Sequence, residues 1–121
     1  MKSVLALAAA AAASSGAGLV DIRWDAEGRF AHQLQLAPGK LAEACGTLPA
    51  AARVAWQYTA DAPLDFNIHY HEGKAVQYPA RLARQARAEG ELATTSAQDY
   101  CWMWTNTGTA PVTLQLSLQR R

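Results

Sequence analysis

Apolar and polar residues alternate with a period of two along most of this chain. In 29–36, Phe30, His32, Leu34 and Leu36 share one face, and Arg29, Gln33 and Gln35 share the other. Such alternation marks a strand with one face buried. Residues 53–58 repeat it, with Val54, Trp56 and Tyr58 on one side. In 64–71 the split is clean: Leu64, Phe66, Ile68 and Tyr70 against Asp65, Asn67, His69 and His71. The first set is expected in the core and the second in solvent. The strongest strand is 100–105, with Tyr100, Trp102 and Trp104 on one face and Cys101 and Met103 on the other. The stretch 112–118 alternates strictly, placing Val112, Leu114, Leu116 and Leu118 inward.

Turn residues separate these runs: Pro38-Gly39, Asp61-Ala-Pro63, Glu72-Gly73-Lys74, Asn106-Thr-Gly108 and Ala110-Pro111. Proline removes a ladder donor and glycine tolerates tight backbone conformations. Residues 40–45 read as one helical turn or a short edge strand, 76–78 as a short strand stopped by Pro79, and 91–95 as another strand. Residues 81–89 are the ambiguous stretch. They are rich in helix formers and end at Gly90, yet in an all-β context they are equally an irregular connection or a strand. Short alternating strands between turns predict an all-β, single-domain antiparallel β-sandwich, jelly-roll-like, with room for one short helix. Trp56, Phe66, Ile68, Tyr70, Trp102, Trp104, Leu114 and Leu116 are expected to form most of its core, since large aromatics dominate small sandwich cores. A sugar or aromatic cleft lined by Trp56, Tyr70, Trp102 and Trp104 is the alternative use of the same rings.

The N-terminus changes the picture of where this domain works. Lys2, an apolar run from Val4 to Ala13 and small residues up to Ala17 have the layout of an export signal. An Ala-rich helix is the bland alternative. The run is too short to span a bilayer, which takes about 20 helical residues. The expectation is a cleaved signal at 1–17, a sandwich at 18–121, a periplasmic or secreted location and no membrane span after cleavage. Losing Lys2 leaves ten basic against ten acidic residues. A near-neutral domain argues against nucleic acid, whose binding needs a net basic footprint. The two cysteines, Cys45 and Cys101, are expected to pair in an oxidising compartment. Closing that loop is worth about 4 kcal/mol in the chain-entropy picture. Two free thiols, or one serving a metal, are the alternatives.

The chemically suggestive residues are few. In His69-Tyr70-His71 the two imidazoles lie on one face of a strand, about 7 Å apart at Cα. If this strand neighbours 100–104, Met103 comes near them, and His69, His71 and Met103 make a copper site. A ligand or partner surface, or two merely solvated histidines, are the other readings of the same pair. Arg81, Arg84 and Arg87 recur every third residue, as a solvated face or as a site for an anionic ligand or lipid head-group. No nucleophile elbow and no Gly-rich phosphate loop is present. The chain therefore reads as a non-enzyme without catalytic residues. Its partner is expected to be a protein or a small ligand.

Trp56-Gln-Tyr-Thr, Asp65-Phe-Asn-Ile and Tyr100-Cys-Trp-Met-Trp-Thr-Asn106, followed by Val112-Thr-Leu-Gln-Leu, resemble the Golgi-dynamics (GOLD) β-sandwich. The likeness runs from about Ala50 to Leu118, with Phe66-Asn-Ile68 in reversed order relative to that family's middle strand. The resemblance implies a binding or interaction module and carries over no catalytic residue.

Overall fold

The computed structural model describes residues 14–15 and 18–121. The signal reading of 1–17 falls outside these residues except at 14–15. Eight strands follow one another: β1 (Ser14–Ser15), β2 (Gly18–Asp21), β3 (Arg29–Leu36), β4 (Leu41–Leu48), β5 (Arg53–Glu72), β6 (Ala75–Ala93), β7 (Gln98–Thr105) and β8 (Val112–Arg120). The all-β expectation holds, as a sandwich made by one curled sheet. Strand order is β1-β3-β8-β5-β7-β4-β2, with β6 on β5. Short β1 and β2 run parallel to β3 and β4, and the other pairings are antiparallel.

The long strand β5 belongs to both layers. Val54 to Ala60 pair with β8, and Asp65 to His69 pair with β7. The turn expected at 61–63 is instead a bend inside this strand. Five steps of β5, from Thr59 to Leu64, face two steps of β6, from Arg87 to Gln85. The surplus residues form a bulge against β6, which sharpens bend and twist. Side-chain parity survives the bend, so Val54, Trp56 and Tyr58 in one layer and Leu64, Phe66 and Ile68 in the other all point inward. Their rings meet between the layers: Phe66 lies 4.9 Å from Trp56, 5.0 Å from Tyr58 and 5.4 Å from Trp104.

The expected core residues are buried, except that Tyr70 is only partly so and packs at the rim, 5.1 Å from Tyr100. Residues 81–89 are neither helix nor loop but the middle of β6, hydrogen-bonded along β5. Helix propensity lost there to the sheet edge offered by β5, since strand formation follows packing context more than intrinsic preference. Pro79 does not stop this strand either. It sits in β6 where the register slips between Ile68 and Tyr70. An edge strand with a bulge tolerates the missing donor. Residues 40–45 open the eight-residue β4, which is flanked by β7 and β2 and so is not an edge.

Candidate functional site

The outer face of the β2-β4-β7-β5-β6 layer gathers the chemically active side chains. Register fixes the rows. Glu43, Met103 and Asn67 stand side by side on β4, β7 and β5, and Cys45, Cys101 and His69 form the next row. The adjacency of 64–71 to 100–104, assumed from sequence, is therefore present. Cys45 and Cys101 are bonded as a disulfide, with Cα atoms 4.1 Å apart. Among the described residues no cysteine is free.

His69 departs from the sequence expectation. Its side chain is only 7% exposed, although its strand position pointed to solvent. Neighbouring strands on both sides, and the disulfide beside it, cover a position that alternation alone assigns to water. Its Nδ1 lies 2.7 Å from Asn67 Oδ1. Its Nε2 lies 3.3 Å from Glu43 Oε1. Burial pushes the His69 pKa below the usual histidine value, Glu43 pulls it back up and His71 adds a further lowering. His71 is exposed, its ring 5.4 Å from that of His69 and nearly perpendicular to it. Met103 is half-buried, two positions along β7 from Cys101. Cys101 Sγ also lies within 4.8 Å of the Glu43 and His69 donor atoms. Locked in a disulfide, it offers no thiolate.

The face continues onto β6. Tyr78 is 44% exposed, its ring 6.0 Å from that of His69. The Arg81 guanidinium caps the Tyr78 ring at 3.7 Å, within cation–π range. Val76, paired with His71, is exposed on the same face. Bulges in β6 set this display. Arg84, at φ 53, takes the left-handed conformation and donates its backbone N–H to Asp65 Oδ1 at 3.0 Å. The evenly spaced Arg81, Arg84 and Arg87 thus do not form one helical row. Glu43 and Tyr78 were given no site role in the sequence reading, Asn67 was read only as solvent-facing and Arg81 only as part of a basic row. Glu43 had a signal: it is two residues from Cys45, so a 45–101 disulfide beside 64–71 puts its carboxylate on the histidine face.

The opposite layer offers a polar trough of about 370 Å³ over β3, β8 and β5, edged by Gln33, Gln57, Gln115 and Ser117.

No protein-family model and no curated protein matches this chain by sequence. Solved structures match it in fold. Aeromonas hydrophila PliG, a periplasmic lysozyme inhibitor of g-type lysozyme, superimposes with a TM-score of 0.70 at 9% identity, covering 89% of this chain and 100% of its own. Salmonella Typhimurium PliG, of the same description, gives 0.60 at 7% identity, covering 87% and 99%. The pre-peptidase C-terminal domain of a Bacillus anthracis collagenase gives 0.60 at 11% identity, covering 92% and 100%. At these identities the likeness is one of fold. Among the described residues no helix is long and apolar enough to cross a membrane.

Proposed function

We propose that this chain is an exported, non-enzymatic module that binds and inhibits a protein, with a lysozyme-type enzyme as its target. The observation that carries this reading is the superposition of 89% of this chain on a periplasmic lysozyme inhibitor, spanning all of the Aeromonas protein. The signal-like N-terminus supports export, and the disulfide suits an oxidising compartment. The Golgi-dynamics resemblance leads to the same class of role, an interaction module on a β-sandwich. Fold alone does not fix a partner, so the site must supply the rest.

The surface suited to a protein partner is the Tyr78–Arg81 face. Tyrosine and arginine are the residues most enriched at energetic centres of interfaces. Here they are stacked and exposed, with Val76 on the same face. Lysis of cell-wall suspensions by g-type lysozyme, measured with increasing purified protein, tests the reading. Inhibition at about micromolar concentration or below is expected, with Tyr78→Ala and Arg81→Ala each weakening it about tenfold or more. Undiminished lysis at tens of micromolar, with no complex on gel filtration, would overturn it.

A further inference from the structure

The contact between Glu43 and His69 is chemically unbalanced as it stands. An amide oxygen only accepts hydrogen bonds. Asn67 Oδ1, 2.7 Å from Nδ1, pairs with the imidazole tautomer that carries its proton on Nδ1. In a neutral ring Nε2 is then a bare lone pair, and it faces the carboxylate oxygen of Glu43 at 3.3 Å. Two acceptors confront one another in a place where the histidine is almost fully covered. A cation between them satisfies both lone pairs.

The geometry points to a cation: we propose that Glu43 and His69 hold one divalent zinc-class ion, completed by His71 and water. Zinc binds imidazole nitrogen and carboxylate oxygen at about 2.0–2.2 Å in tetrahedral arrangement. Two such donors around one ion stand roughly 3.3–3.4 Å apart. The Nε2 to Oε1 separation of 3.3 Å is that tetrahedral edge. The Asn67 bond completes the pattern, since a metal-ligating histidine hands its other ring proton to an oxygen that fixes tautomer and orientation. His71 is exposed and free to swing from 5.4 Å ring separation toward the same point. The disulfide takes both cysteine sulfurs out of the donor set, which moves the preference from soft cuprous ion toward borderline divalent ions. Cupric ion, which generally binds nitrogen and oxygen donors more tightly than zinc, is expected to compete for the same place.

Calorimetric titration of the purified protein with zinc chloride at pH 7.5 tests this directly. One ion per chain at about micromolar affinity is expected. Glu43→Gln and His69→Gln should each weaken binding about tenfold or more, and His71→Ala by less. Nitrogen-15 spectra of the metal-free protein should show His69 as the neutral Nδ1–H tautomer, with Nε2 shifting on zinc addition. That readout uses the unaltered chain, so it stands even if His69→Gln fails to fold. Zinc binding weaker than about 100 μM, binding unchanged by Glu43→Gln, or a His69 Nε2 signal unmoved by zinc would each overturn the proposal.

Discussion

At the scale of single residues, the structure rests on a few polar side chains that complete the backbone's hydrogen bonding. Asn106 is fully buried. Its Nδ2 donates to Leu36 O at 3.0 Å and Ala110 O at 2.9 Å, and its Oδ1 accepts from Gly108 N at 2.9 Å. One amide thus ties the end of β3 to the turn between β7 and β8. Asn106→Ala strands those backbone groups in the interior, and urea denaturation should show a loss of about 2–4 kcal/mol. The sequence marked Asn106 only as turn chemistry, because its burial depends on where Leu36 ends up. His69 governs the acid side of stability. Its folded-state pKa lies below the ordinary value of about 6.5, so the unfolded chain takes up the proton first as pH falls. Its stabilising effect is present above about pH 6.5 and lost as pH falls through the folded value. Denaturation midpoints measured from pH 7 to pH 5 should drop more steeply in the native chain than in His69→Gln. A flat or opposite difference would mean that Glu43, not burial, dominates.

At the scale of elements, the legible parts of the chain were those where one face meets water and the other meets core. β3, β8 and both halves of β5 obey that rule, and period-two alternation found each of them. β6 does not. Most of its residues are exposed, so alternation fades and helix-forming alanines, leucines and arginines dominate its composition. Its strand character comes from β5, which supplies a partner along its length. The bend in β5 was hidden for a related reason, as Asp61 and Pro63 are ordinary turn residues and only the unbroken inward parity of Ala60 and Ala62 reveals continuity. Gly90 shows what the hairpin demands locally. It faces Trp56, and a Cβ built there would come within 2.7 Å of the indole. Gly90→Ala should therefore cost about 1–3 kcal/mol through overpacking, with a visible change in the Trp56 environment by fluorescence. A cost near zero would mean the indole moves aside freely.

At the scale of the whole molecule, the fold is two layers sharing one hairpin, reinforced by a covalent link between β4 and β7. The Cys45–Cys101 bond closes a separation of 56 residues. The Cys45→Ala/Cys101→Ala double variant should lose about 2–4 kcal/mol yet keep its circular dichroism, because the core comes mainly from other residues. Loss of the β signature would mean the core cannot hold without the link. The same variant should retain inhibition if the Tyr78–Arg81 face acts alone. The shared hairpin also dictates an order of events. Residues 53–93 pair with themselves and can form as soon as they emerge. Strand β3, however, finds its long partner only in β8, the final strand. Whichever membrane or ribosome the chain must leave, its first long strand waits for its last one. A chain lacking 112–120 would leave the flank of β3 that carries Phe30, Leu34 and Leu36 without its long partner, an opening for proteases and chaperones until β8 is in place.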